Sequence, residues 1–408
     1  MKRILILSPF FYPEYISTGK YNTELAKRLI EEGHDVRVIC FHPIYPEWKL
    51  RKSNAYLPGA TITRGGLGLR FPSSSVGRRL ILELWYALFA VRKIYTTRKS
   101  YDIVISILPP SIASVAIKRL IQGSATHIGI VHDIQGILSN TRQNVARKMV
   151  GCFVKAIERM SFKSCDRLIF LSQTMKEAAM DMYRIGRIRS DVSYPFVTLA
   201  PNKSLNNLEE ILVDRNNIVY SGALGEKQRP DNIVKLFLSI LDTRKDVNCY
   251  IFSKGPVFER LRRKYRDTRI RFYPLVDESD LGELLKKSSV QLVPQDPELA
   301  DASFPSKVPN ILASNTKLYC ITATDSELFN LLKDCPCFSS SDNWDICGNT
   351  KKILELLDRN VSDMLNPYSS ILEKFDIARL VDLIVDETAS DYTKPRVKDE
   401  VAINPANI

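Results

Sequence analysis

The residues best equipped to do chemistry lie late in the chain, at Pro305-Ser306-Lys307. There an apolar, strand-like run over residues 289–293 gives way to a polar loop and then to a helical pattern. A helix opening with Ser306 and Lys307 offers free backbone N–H groups, a partial positive charge and a full one, which suits a diphosphate. A second candidate, Gly222-Ala223-Leu224-Gly225-Glu226-Lys227, lies between a strand and a helix. Its amides and the Lys227 ammonium can hold the same kind of anion. A third, Val131-His132-Asp133-Ile134-Gln135, ends a strand at the carboxyl edge where α/β proteins place their ligands. Asp133 is also explained there as a plain helix cap.

Ser17-Thr18-Gly19-Lys20 looks at first like a phosphate loop, but the required earlier glycine is missing and Tyr21 stands where Ser or Thr belongs. Gly19 still permits a close approach of backbone to phosphate, and a simple turn would need it too. Among the eight cysteines no spacing repeats as a zinc site would require, and Cys335-Pro336-Cys337 is too tight for two geometric ligands. No metal is therefore expected. Scattered thiols suit a reducing cytoplasm.

These residues need elements to position them. Residues 4–7, 36–40, 101–107, 126–131 and 167–171 read as apolar strands, and residues 23–32 as a helix stopped by Gly33. The order strand–loop–helix–strand is a parallel βαβ unit, and its repetition a doubly wound sheet. A second run follows, with strands at 218–220, 247–252, 270–273 and 290–293 and helices at 231–241, 257–265 and 280–287. Two such domains agree with 408 residues, too many for one ordinary core. We expect an α/β chain with residues 1–200 as the first domain, 201–366 as the second, a helix over 367–387 crossing back to the first, and a loose tail from 388.

Charge divides along the same line. Residues 1–200 carry 30 Lys and Arg against 14 Asp and Glu, and the remainder 28 against 32. The first half therefore faces something anionic. The segment 77–99 sets Arg78, Arg79, Arg92 and Lys93 around Trp85 and Phe89, a pattern for a helix lying in a membrane interface or, equally, for a core helix with solvated ends. No nucleic-acid motif accompanies the charge. The longest apolar run, 80–91, is too short to span a bilayer, and Met1 to Leu7 is too short for a signal peptide.

Three blocks resemble family 4 glycosyltransferases of the bacterial colanic-acid, capsule and O-antigen type. They are Pro9-Phe10-Phe11-Tyr12-Pro13-Glu14 with Glu31-Glu32-Gly33-His34-Asp35, Ser221-Gly222-Ala223-Leu224-Gly225-Glu226-Lys227-Gln228, and Pro305-Ser306-Lys307 with Leu312-Ala313. The resemblance implies the GT-B architecture, two Rossmann-like domains facing across a cleft, and transfer of a sugar from a nucleoside diphosphate to a lipid-linked glycan with retained configuration. It places a His or Asp at positions 132–133, beside the reacting sugar: either Asp133 orients the acceptor hydroxyl, or His132 offers its backbone carbonyl or ring. It gives Gly19, Gly222, Gly225, Lys227, Gly255, Ser306 and Lys307 to the donor, with base and ribose near Gly255. Many members carry two glutamates eight positions apart. Here Asn310 takes the place of the second and Ala302 that of the first, with Asp301 one residue earlier as a substitute. The missing glutamate keeps a second reading open, a catalytically silent scaffold subunit, and a nucleotide-sugar epimerase is a third. No cofactor is expected, since Lys227 and Lys307 supply the charge a metal would bring. Partners are the nucleotide sugar, a lipid-linked glycan and the anionic inner face of the cell membrane.

Overall fold

The computed structural model describes residues 1–386 except 15–17, 45–46, 73, 98, 121–124, 139–144, 201–207, 209–211, 213–215, 226–227 and 361–366. By contacts the chain divides into two compact units. The first comprises Met1–Phe196, Leu299–Ser306 and Lys374–Glu387; the second comprises Val197–Glu298 and Lys307–Glu373.

The first unit is built on a seven-stranded sheet, β1 (Arg3–Leu7), β2 (Asp35–Phe41), β3 (Ala60–Gly65), β4 (Ile103–Leu108), β5 (Thr126–Val131), β6 (Arg167–Phe170) and β7 (Arg189–Val192). Its strand order is β3-β2-β1-β4-β5-β6-β7, and every neighbouring pair is parallel. Parallel strands covered by helices on both faces read as continuous apolar runs, and all six residues of β4, IVISIL, are buried. The helices are α1 (Thr18–Glu31), α2 (Ser75–Thr97), α3 (Ser111–Lys118), α4 (Gln135–Leu138), α5 (Val145–Ser164) and α6 (Gln173–Tyr183). α1 buries Tyr21, Leu25, Ala26 and Leu29 and stops at Gly33, whose φ of +83° favours glycine.

The second unit repeats this design with β8 (Asn217–Ser221), β9 (Asn248–Ser253), β10 (Ile270–Pro274), β11 (Val290–Pro294), β12 (Lys317–Ile321) and β13 (Phe338–Ser341), ordered β10-β9-β8-β11-β12-β13. Between them run α7 (Pro230–Thr243), α8 (Pro256–Lys264), α9 (Glu278–Lys287), α10 (Val308–Ala313), α11 (Glu327–Leu332) and α12 (Ile346–Asp358). Each sheet winds outward in both directions from a central pair, β1/β4 in the first and β8/β11 in the second. Loops beyond the carboxyl ends of such a pair part to opposite faces and leave a crevice for ligands.

Several expectations need correction. α1 begins at Thr18, five residues earlier than the periodicity suggests, because its first turn is polar yet buried at Gly19, Lys20 and Asn22. The short strands β3, β7 and β13 escape a hydrophobic-run reading because ATITRG, RSDV and FSSS are largely polar. The helix expected to open with Ser306 is α10, which starts at Val308 with Lys307 as its cap residue and runs only six residues. The helix expected over 367–387 is broken into α13 (Ser369–Leu372), a 3-10 turn at Glu373–Phe375 and α14 (Ile377–Val385). The break has a local cause: the Asp376 side chain accepts the Ala378 N–H and restarts the helix. α14 does return to the first unit, where Arg167 donates to the Leu383 carbonyl and Lys2 Nζ lies 2.7 Å from the Val385 carbonyl.

Candidate active site

In the second unit the candidate site sits at the switch point. Lys307 Nζ donates to the carbonyls of Ser221, at the end of β8, and Leu292, in β11, at 3.2 and 3.4 Å. The same ammonium stands over the Tyr220 ring, 4.2 Å from its centroid. Tyr220 Oη in turn donates to the Ala223 carbonyl at 2.6 Å, tying the loop after β8 to the residue beneath the lysine. Gly222 has φ of +139°, a conformation glycine favours, and a Cβ there would stand 3.8 Å from Lys307 Nζ. Gly222 and Lys307 are thus brought together. Gly225 donates to Gln228 Oε1 at 2.9 Å, shaping the same loop. Lys227 lies outside the described residues. Gly255, with φ of +100°, precedes α8, and no atom lies within 4 Å of where its Cβ would be, leaving open space.

Burial pushes the Lys307 ammonium down to about 7, because the surrounding carbonyls and ring are poor substitutes for water. An arriving diphosphate would supply the missing counter-charge. Asn310 is held by a different set of contacts. Its Oδ1 accepts the Thr198 N–H at 2.8 Å and its Nδ2 donates to Thr198 Oγ1 at 3.1 Å, so the buried amide is committed at both ends to the chain. These two bonds clasp Asn310 to Thr198.

His132 and Asp133 follow β5 in the first unit. The His132 N–H donates to the Leu108 carbonyl at 2.9 Å, and its ring lies edge-on to Tyr21 with centroids 6.3 Å apart. It lines a small, partly open pocket of about 20 Å³, with Tyr21, Asn22, Leu25 and Phe196, large enough for one water molecule. Desolvation depresses its pKa to about 4 despite the opposing pull of Asp133, so the ring is neutral at physiological pH. Asp133 is partly exposed.

Gly19 has a close neighbour within the chain. A Cβ there would lie 2.8 Å from the Glu14 carbonyl oxygen, so close packing of α1 on that turn explains the glycine. Asp301 and Ser306 are exposed and belong by contacts to the first unit, not to the unit that holds Lys307. The strap Leu299–Ser306 is fastened there by Ile134 N–H to the Ala302 carbonyl at 2.9 Å and by Tyr21 Oη to the Ser306 carbonyl at 2.7 Å. Phe304, packed edge-on to Tyr194 at 5.7 Å, completes the attachment.

The basic and aromatic residues of α2 point in two directions. Phe89 packs on Phe41 at 5.9 Å, Arg78 lies 5.0 Å from the Trp48 centroid, and Arg79 donates to Gln135 Oε1, so these three serve the fold. Trp85 is 50% exposed, and Leu84, Leu88 and Tyr95 accompany it on the outside, with Arg92 exposed and Lys93 partly so. No helix among the described residues is long and apolar enough to cross a membrane.

Sequence reading missed Tyr21, Tyr220 and Glu158. The signal for Glu158 was present: it is the sole acid in the helix VARKMVGCFVKAIERMSFKS. An isolated carboxylate in such a helix announces a buried partner.

Two doubly wound parallel sheets with a returning C-terminal helix define the class, the GT-B fold of glycosyltransferases. Over 94% of this chain and 100% of the other, the structure superposes on WaaG, a glycosyltransferase involved in lipopolysaccharide biosynthesis, with a TM-score of 0.69 and 13% identity. The Staphylococcus aureus MnaA structure with UDP shares the fold at a TM-score of 0.61 and 14% identity, covering 96% and 100%. Residues 18–200 match the Glycosyltransferase Family 4 model. Across 359 residues the chain is 25% identical to WcaI of Escherichia coli (strain K12), a protein named a colanic acid biosynthesis glycosyl transferase, covering 82% of this chain and 86% of that one. Residues 18–200 are thus similar to the glycosyltransferases of family 4, and most of the chain to WcaI.

Proposed function

We propose that the protein transfers a sugar from a nucleoside diphosphate sugar to a lipid-linked glycan during assembly of a bacterial surface polysaccharide, retaining the anomeric configuration. The observation that carries the donor half is the Lys307 ammonium beside Gly222 at the carboxyl ends of β8 and β11. As the sugar–phosphate bond breaks through an oxocarbenium-like transition state, charge builds on the departing diphosphate. A preorganised cation in a site withdrawn from water stabilises that charge more than it stabilises the bound donor. Lys227, two residues after Gly225 in the sequence, is assigned the same task. Two lysines do here what a divalent cation does elsewhere, so transfer is expected to persist in EDTA. In the first unit Asp133 orients the acceptor hydroxyl while neutral His132 contributes its carbonyl or ring.

Polysaccharide assembly is supported by the biosynthetic roles for which WcaI and WaaG are named, and a nucleoside diphosphate donor by the UDP bound to MnaA. A lipid-linked acceptor agrees with the apolar face of α2, where Leu84, Trp85, Leu88 and Tyr95 are exposed. Such a face supports docking of the first unit on the inner surface of the cell membrane. The test is label transfer from radioactive UDP-glucose, UDP-galactose, GDP-mannose and GDP-fucose into the organic phase of a bacterial membrane extract. At least one donor is expected to label that phase, with the α or β signal of the donor kept in the product's NMR spectrum. Hydrolysis without transfer, from every donor and extract, contradicts the proposal.

A further inference from the structure

The segment His132 to Gly136 is held through four of its backbone N–H groups. The N–H of His132 goes to the Leu108 carbonyl and that of Ile134 to the Ala302 carbonyl. The next two, Gln135 and Gly136, donate to one carboxylate, Glu158, each at 2.8 Å. Glu158 is 2% exposed and lies on α5, twenty-odd residues downstream. Its second oxygen also accepts the Tyr183 hydroxyl, from the end of α6. A Cβ on Gly136 would fall 1.9 Å from Tyr183 Oη, so glycine at this position is what lets the tyrosine reach the carboxylate. Arg79 adds a tie from α2 to the Gln135 side chain.

A carboxylate facing the first amides of a helix completes their hydrogen bonding and matches the sign of the helix dipole. Burying a carboxylate has a cost, and three donors aimed at it offset that cost. Core packing alone would not demand a carboxylate at this position, whereas three converging donors do. We infer that Glu158 is a positioning residue that fixes the turn after Asp133 and thereby the placement of His132 and Asp133. Tyr183 and Gly136 are its accessories. The catalytic consequence rests on the roles given to His132 and Asp133 above; the structural consequence does not.

The full-length variants Glu158→Leu, Glu158→Gln and Tyr183→Phe separate the two. His132 imidazole signals, assigned with His132→Asn, report loop placement without any assay. Turnover is read as nucleoside diphosphate release from whichever of the four nucleotide sugars the wild type uses, and donor-site integrity as calorimetric UDP affinity. In Glu158→Leu the His132 signals should move, with a midpoint raised toward that of a solvated imidazole. The kcat should fall about 30-fold or more while UDP affinity stays within about twofold, the signature of lost orientation rather than lost binding. Glu158→Gln keeps the shape and one acceptor and should recover most of the rate. If Glu158→Leu does not fold, Tyr183→Phe decides: a displaced His132 signal with kcat lowered about threefold or more supports the inference. Unchanged His132 signals and kcat in a folded variant overturn it. Displaced signals with full activity in Asp133→Asn and His132→Asn would leave the positioning intact and remove the catalytic roles.

Discussion

Lys307 is the residue on which the donor reading turns, and its chemistry gives a pH dependence with a definite sign. An ammonium held to about 7 is half neutral at physiological pH in the free protein, while a bound diphosphate favours the charged form. Nucleotide binding should therefore take up protons, and affinity should weaken as pH rises from about 7. Calorimetry of UDP and GDP at pH 8 in buffers of differing ionisation enthalpy measures that uptake, and Lys307→Met should abolish it. Asn310 makes the contrasting case. Removing its amide strands the buried Thr198 N–H, so Asn310→Leu should cost about 1–3 kcal/mol of stability by denaturant unfolding, with nucleotide affinity in the folded protein preserved. A loss of affinity without loss of stability would return Asn310 to the ribose. The sequence exposed Lys307 because a lysine beside a strand-to-helix loop is visible from residue type alone. It could not show that Asn310 was spoken for, since its partner Thr198 lies 112 positions away.

At the scale of elements, α2 shows how one helix divides its labour. Glu83 accepts the Ser111 and Ile112 N–H groups and so caps α3. Tyr86 reaches the Ile39 carbonyl, and Phe89 closes on Phe41. Left outside are Leu80, Leu84, Trp85, Leu88 and Tyr95, with Arg92 and Lys93 among them. On the sequence all these residues form one basic, aromatic segment, because 3.6-residue periodicity does not say which side of a helix the sheet will cover. The expected docking surface is accordingly more apolar than charge counting alone suggests. Flotation with vesicles of phosphatidylglycerol and phosphatidylcholine should show binding that the double variant Arg92→Glu, Lys93→Glu weakens and that salt reduces. A salt-resistant remainder should disappear in Trp85→Ser, Leu88→Ser. Flotation equal to wild type in both variants would assign the face to something other than a membrane.

The two sheets were the most legible feature of the whole molecule, because a parallel strand buried on both faces announces itself as an apolar run between turns. What stayed hidden was the strap Leu299–Ser306, which belongs by contacts to the first unit although its neighbours in sequence lie in the second. Its docking depends on tertiary hydrogen bonds and on Phe304, neither of which leaves a local pattern. Acid stability is another property of the whole. His127, buried between Ser106 Oγ and the Ser164 carbonyl, and His132 are both held neutral, with pKa values near 4. The unfolded chain takes up protons near 6.5 and the folded one does not until about 4, so stability should be full above that upper value and decline between the two. Melting temperatures across pH 7 to 4 should fall, less steeply in His127→Gln.

The central claim is that a nucleoside diphosphate sugar reacts at Lys307. Glycosyl transfer by Lys307→Ala against wild type, with the best donor from the label-transfer panel and matched far-ultraviolet dichroism, tests it most directly. The rate should fall about 100-fold or more, the loss typical of one preorganised charge contact at a developing anion. A folded variant transferring sugar within about threefold of wild type would contradict it, because a charge contact of that kind cannot be removed so cheaply.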